Sequence, residues 1–317
     1  MILRRLLSLI PLVIGITFVS FLIMKSAPGD PTVMFQDPTV QLQDLEQLKK
    51  NYGLDKPLLI QYGYWIKEAL KGNLGFSYQT GKPVTLMIFE RLPATLLLSV
   101  SSLILILCIT FPLGLLSGYK KDKTLDKLVT FFSFVGMALP TFWVGLILIL
   151  MLSLKVNLFP TSGYLDPALA NASILKQTFN IAYHMALPLL TILIGGVAGL
   201  IRFNRFSIIN ILSQDYIHAA RARGISEKRI LFKHALKNAS LPIVTILGAG
   251  LSSLIGGSFI IEYIFSWPGM GQLGVNAVFA RDYPLLMGSI LFSSILIVIG
   301  NLAADISYSL IDPRVKQ

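Results

Sequence analysis

The chain has 317 residues, of which 54% are hydrophobic and only 14% charged, yet its formal net charge is +11. A water-soluble domain carries about 25% charged residues, so the composition excludes an ordinary soluble globule. It also excludes a nucleic-acid binder, whose basic residues would line a polar face, because here they lie between apolar runs.

The first apolar run, Leu6 to Met24, follows Arg4 and Arg5 and has no small-residue cleavage site before Lys25. It reads as a transmembrane helix within 1–24, not as a cleaved leader. Residues 25–94 then read as an extracytoplasmic loop that carries two short amphipathic helices on the outer surface. In the first, Leu42, Leu45 and Leu48 recur every three residues and Gly53 ends the pattern. The second starts with Pro57 in its first turn and sets Leu58, Tyr62, Trp65, Ile66 and Ala69 on one face.

Five further runs, near 95–118, 128–154, 185–201, 243–263 and 285–306, approach the roughly 20 apolar residues that a bilayer-crossing helix needs. Pro112, Pro140 and Pro188 inside them, like Pro11 in the first run, are of the kind that transmembrane helices tolerate. No run alternates with a period of two, which excludes a β-barrel. The expected fold is therefore an all-α polytopic membrane protein with six transmembrane helices, five of them in a core over 95–317.

Lysine and arginine set the orientation. The pieces 1–5, 119–127, 202–242 and 307–317 hold 2, 4, 8 and 2 basic residues, against 2 and 1 in 155–184 and 264–284. The long loop 25–94 holds 8 basic residues but also 7 acids, and long loops cross regardless of charge. Both termini are expected in the cytoplasm.

Between the fourth and fifth runs lies a basic hairpin, 215–242. Asp215 to Arg223 suits a helix, Gly224 its C-cap, and Ser226 the next N-cap, with Glu227 in the first turn. The second helix pairs Ile230 with His234 and Leu231 with Ala235 at a spacing of four. Ala220 and Gly224, also four apart, give a face of little bulk, and Arg221, Arg223, Lys228 and Arg229 rim it with charge. Such a knob suits a groove in a soluble partner; a loop that only fixes topology or binds anionic lipid is the alternative.

The stretch resembles the EAA loop of ABC importer permeases: Ala219-Ala220, three residues, Gly224, nine residues, then His234-Ala235-Leu236. His218 stands in place of the glutamate of that pattern and Lys237 in place of its proline. Both departures match the peptide branch, whose strings appear at Tyr216 to Gly224 and Lys233 to Asn238. The resemblance extends along the chain through APGDP (27–31), YGLDKP (52–57), GNLGFSY (72–78), RLPATLLLS (91–99), LPTFWVGL (139–146) and FPTSGY (159–164). It continues in GGSFIIEYIFSWPGMGQL (256–273), RDYP (281–284) and DPR (312–314).

The resemblance implies the type I importer permease fold in a prokaryotic cytoplasmic membrane. It implies a first permease subunit paired with a homologous second permease, two ABC ATPase subunits and an extracellular or periplasmic solute-binding protein. The cargo would be dipeptides or oligopeptides, or nickel or its complexes, which the same branch also carries. ATP and Mg would be held by the partners; the chain has no catalytic chemistry or cofactor of its own, and it has no G-x-x-x-x-G-K-[ST] phosphate loop. The ATPase-coupling residues would be His218, Ala219, Ala220, Arg221, Arg223, Gly224, Lys228 and Arg229.

Few ionisable groups fall within the apolar runs, where they are functional candidates. Glu262, near the outer end of the fifth, is a candidate for the substrate path, and Asp305, in the sixth, a weaker one. The isolated His184 reads as interfacial, and the aromatic stretch Tyr263 to Trp267 as a membrane anchor. No three of the chain's His or Cys residues share metal-ligand spacing, and the single Cys108 forms no internal disulfide. The main rival class, an ion-coupled secondary transporter, would place charged residues or paired broken helices at mid-membrane; the second to fourth runs hold no charge near their middles, and no internal repeat is evident. An intramembrane enzyme would need a motif such as H-E-x-x-H, which is absent.

Overall fold

The structure is a computed structural model that describes residues 2–26, 56–236, 238–239 and 259–311, with side chains described between 10 and 302. Its helices run in chain order α1 (Ile2–Ser26), α2 (Leu58–Leu70), α3 (Val84–Tyr119), α4 (Thr124–Ala138) and α5 (Thr141–Leu148). They continue with α6 (Ile174–Leu212), α7 (Asp215–Ala222), α8 (Glu227–Arg229), α9 (Phe259–Ile264), α10 (Met270–Phe279) and α11 (Tyr283–Ile311). The expected helix around 42–53 and residues 243–258 of the fifth run lie outside the described residues.

Among the described residues three helices are long and apolar enough to cross a membrane: Val84–Tyr119, Ile174–Leu212 and Tyr283–Leu302. A bent pair, Thr124–Ala138 with Thr141–Lys155, brings a fourth, and α1 adds a shorter apolar stretch, Ile10–Ser26. The crossing helices exceed their expected lengths. α6 has 39 residues, about 58 Å at 1.5 Å per residue, nearly twice the hydrocarbon thickness of about 30 Å.

The third run departs from expectation. Read as one helix over 128–154, it is two, bent by 101° at Leu139-Pro140. Pro140 has no N–H to continue the ladder and pushes the residue before it out of helical geometry. Leu139 sits at φ −90°, ψ 131°, fully extended. Beyond the break, α5 loosens into a π-helix at Ile149–Lys155.

The described chain forms two compact units, one of residues 1–94 with 268–298, the other of 95–267 with 299–317. In the first, Val84 and Ile88 at the start of α3 pack with Met270, Leu273 and Ala277 of α10 and Leu285 of α11. A second cluster joins Phe21 and Met24 of α1, Tyr62 of α2, and Tyr283 and Met287 of α11. Asp282, fully buried, accepts hydrogen bonds from the Ser77 hydroxyl, the Tyr78 N–H at 3.1 Å and the Leu285 N–H at 3.3 Å. One carboxylate thus starts α11 and fixes the loop after α2, joining residues from GNLGFSY and RDYP.

In the second unit, α6 packs along α3, α4 and α5, with Ile106 of α3 against Val197 and Ile201. Of the aromatic stretch Tyr263 to Trp267 at the end of α9, Tyr263 is exposed, but the other two rings are not surface anchors. Phe265 and Trp267 are buried, Phe265 packs with Leu187 and Ile261, and Trp267 meets Tyr164 edge-on at 4.8 Å. Hydropathy does not distinguish a ring at a lipid interface from one in a protein core; the returning loop does, bonding through Gly163 N–H to Phe265 C=O at 2.9 Å.

Candidate functional site

The basic hairpin folds from its own local signals. α7 begins at N-cap Gln214 with Asp215 in its first turn, where the helix dipole favours an acid. It ends with Gly224 at φ +76°, a left-handed geometry open to glycine without strain. The Ile225 N–H then bonds to Ala220 C=O at 3.2 Å and the Gly224 N–H to Arg221 C=O at 2.9 Å, the paired closure of a Schellman motif. Ser226 takes the next N-cap position, but its side chain makes no capping hydrogen bond; its carbonyl accepts from Arg229 and Ile230 N–H at 2.9 and 3.0 Å. Across the turn, Arg221 donates to both carboxylate oxygens of Glu227, at 2.7 and 3.4 Å, and these hydrogen bonds raise the Arg221 pKa above its ordinary value.

The second helix differs from its expected register. After α8 it becomes a π-helix over Ile230–Leu236, and the buried pair is Ile230 with Ala235, five apart, instead of Ile230 with His234. A π-turn places i and i+5 together. The buried underside, with Ile217, includes Ala235 and Ala239 packed against Leu115 of α3 and Ile208 of α6. The hairpin is therefore seated on the ends of two long helices of its own unit.

The eight candidate coupling residues are displayed unequally. His218, Ala219, Arg223, Gly224, Lys228 and Arg229 are exposed, whereas Ala220 and Arg221 are half-buried. Ala220 lies toward the packed side, and Arg221 is engaged with Glu227. A Cβ built on Gly224 would meet nothing within 4 Å, so the turn faces open space.

Beneath the hairpin lies a seam that the sequence reading missed. A Cβ on Gly114 would fall 2.6 Å from the Asn204 side chain, and one on Gly118 would fall 2.7 Å from that of Ile208. These glycines, four apart on α3, let α6 approach closely, as small-xxx-small faces do in membranes. Asn204 donates to Thr110 C=O at 3.2 Å. Nearby, Arg205 donates to both oxygens of the buried Asp126, at 2.5 and 2.7 Å. Asp126 also accepts from the Ser117 hydroxyl at 2.5 Å and the Asp122 N–H at 2.8 Å. Gly114-x-x-x-Gly118 was available as a signal. So was a first-turn acid, Asp126, in a run that holds Lys120, Lys121, Lys123 and Lys127 against two acids, although its partner Arg205 is 79 residues away.

Glu262 is fully buried in α9 and accepts a hydrogen bond from Thr95 of α3 at 2.9 Å. Asp305 falls on α11, with its side chain outside those described. His184 is half-buried, with Nδ1 2.9 Å from Asn180 C=O. Among the described residues no group of three or more His, Cys, Asp or Glu is placed to hold a metal ion.

The comparison with known families decides what this assembly belongs to. The family described as "Binding-protein-dependent transport system inner membrane component" matches residues 110–317, and the N-terminal portion of such membrane components matches residues 1–99. The chain belongs to this permease family. The "Oligopeptide transport system permease protein AppB" of Bacillus subtilis (strain 168) is 45% identical over 319 residues, covering 99% of this permease and 98% of the relative. The "Probable peptide ABC transporter permease protein y4tP" of Sinorhizobium fredii (strain NBRC 101917 / NGR234) is 36% identical over 315 residues, covering 99% and 98%. The permease is thus a non-catalytic, multi-pass inner-membrane component of a binding-protein-dependent transport system.

Proposed function

We propose that this permease forms part of the membrane path of an ATP-driven importer of dipeptides or oligopeptides. It pairs with a homologous second permease; two ABC ATPase subunits bind on the cytoplasmic side, where both termini lie, and a solute-binding protein delivers cargo outside. The peptide cargo rests on the names of full-length relatives. The proposal takes six crossings, with the bent pair α4–α5 counted as one of them.

The observation that carries the coupling role is the exposed Gly224 turn on a hairpin whose underside packs on Leu115 and Ile208. A push on the knob passes through Ala235 and Ala239, which pack on Leu115 of α3 and Ile208 of α6, so that the two helices can shift between arrangements. Ala219 and Gly224 allow close approach, while His218, Arg223, Lys228 and Arg229 give polar anchoring. Ala220 and Arg221 serve from within, Arg221 by holding the turn closed against Glu227. Glu262, buried against Thr95, supports the wall of the path.

The test is Gly224→Glu in the assembled transporter, reading uptake of a labelled oligopeptide and retention of the ATPases on purification. Uptake should fall at least tenfold with the ATPases weakly retained or uncoupled, while Gly224→Ala keeps most of both. Normal uptake by Gly224→Glu would refute coupling through this turn.

A further inference from the structure

We infer that α2 is an interfacial anchor whose flank at Leu59 and Leu70 lies among the acyl chains of the leaflet at the C-terminal end of α1. The inference takes α1 as a membrane-crossing helix, as proposed above.

The depth of α2 follows from its contacts. The Tyr62 hydroxyl shares a hydrogen bond with Thr17 Oγ1 at 2.9 Å and donates to Ile14 C=O at 3.1 Å. Its ring packs on Phe18 and Phe21, with centroids at 5.1 and 5.7 Å. Thr17 is nine residues before Ser26, the end of α1, so it lies about 13 Å below that end at 1.5 Å per residue. The apolar run of α1 extends from Leu6 to Met24, which places Ile14 near its centre. α2 therefore runs within one tyrosine side chain of membrane depth, beside the last turns of the apolar run and not above them.

The faces of α2 divide accordingly. Tyr62 packs against α1, with Trp65 beside it. On one flank Gln61, Tyr64 and Glu68 turn toward a cavity of about 420 Å³ within the same unit. On the other, Leu59 and Leu70 stand eleven residues apart on one stripe of the helix, next to the half-buried Ile66, which packs with Trp65 on the α1 side. Leu59 is 70% and Leu70 83% exposed. In water such exposure would be unfavourable; beside α1, whose Val19 and Ile23 are also exposed, it matches lipid. Lys67 occupies the next sector, where its ammonium group reaches the headgroup level, while Lys71 at the end of the helix pairs with Glu68 at 2.6 Å. An apolar stripe set beside a lysine is the pattern of a helix lying about 5–10 Å into the interface.

The test uses single cysteines in a Cys108→Ser background, since Cys108 is the chain's one cysteine. Leu59→Cys, Leu70→Cys, Lys67→Cys and Val19→Cys are labelled with an environment-sensitive fluorophore in the assembled transporter in lipid nanodiscs. Labels at 59, 70 and 19 should be blue-shifted and quenched severalfold more by spin-labelled lipid than by aqueous iodide, with the reverse at 67. Iodide quenching at 59 and 70, with 19 still lipid-quenched, overturns the inference alone. Shielding of 59 and 70 from both quenchers means that protein covers the flank and overturns it equally. Iodide quenching at 19 removes the premise that α1 crosses the membrane, and the inference with it.

Discussion

At the scale of single residues, two positions have opposite physical origins. Gly224 is needed for its backbone, since φ is +76° and no neighbour would obstruct a side chain. Gly224→Ala should destabilise the hairpin by about 1 kcal/mol, the usual penalty for a Cβ in the left-handed region, seen as faster amide exchange at Gly224 and Ile225. Asp126 is needed for its charge. It is 2% exposed and paired with Arg205, so Asp126→Asn strands a largely buried guanidinium at a cost of about 3–5 kcal/mol. The melting temperature of the purified complex should drop, and Asp126→Leu with Arg205→Met should recover much of the loss. The Arg221–Glu227 pair, with side chains 35% and 44% accessible, is a contrast: Glu227→Gln should change stability by less than about 1 kcal/mol.

At the scale of elements, the α3–α6 seam carries what a hairpin alone could not. Gly118→Val would put a side chain within 2.7 Å of Ile208 and 3.0 Å of Arg205 C=O. Backbone cannot yield as a flexible side chain can, so the helices must separate, at about 1–3 kcal/mol. Because Ile208 also packs with the hairpin's Ala235, the substitution should reduce peptide uptake while the ATPases still co-purify. Gly199, with nothing within 4 Å, should accept alanine with full uptake. Comparing the two variants in one transport assay tests whether close helix approach is what matters.

At the scale of the whole molecule, the balance of lysine and arginine makes a topological claim. Ser226→Cys on the hairpin and Ser162→Cys in the loop before α6, both at exposed positions, should react with an impermeant maleimide from opposite sides of the membrane in a Cys108→Ser background. Reaction of both from one side would mean that α6 does not cross the membrane, and reaction of 226 from outside with 162 from inside would reverse its orientation. The same labelling, repeated with ATPases bound, should protect position 226 and leave 162 reactive.

Composition and local spacing were enough to establish a helical membrane protein, the helical hairpin and its glycine turn, and the comparisons bear out the family that the chain's motifs resemble. Those features depend on neighbours a few residues apart, which is the range over which turns, caps and hydrophobic runs are encoded. The tertiary structure alone decided the bend at Pro140, the burial of Phe265 and Trp267, the five-residue register of Ile230 with Ala235 and the pairing of Asp126 with Arg205. A proline can be absorbed or can break a helix according to what packs around it, and an apolar ring has the same hydropathy against lipid as against protein. Likewise, an acid and a guanidinium far apart in sequence become partners only when two helices are brought together, and at this seam Gly114 and Gly118 remove the bulk that would hold α3 and α6 apart.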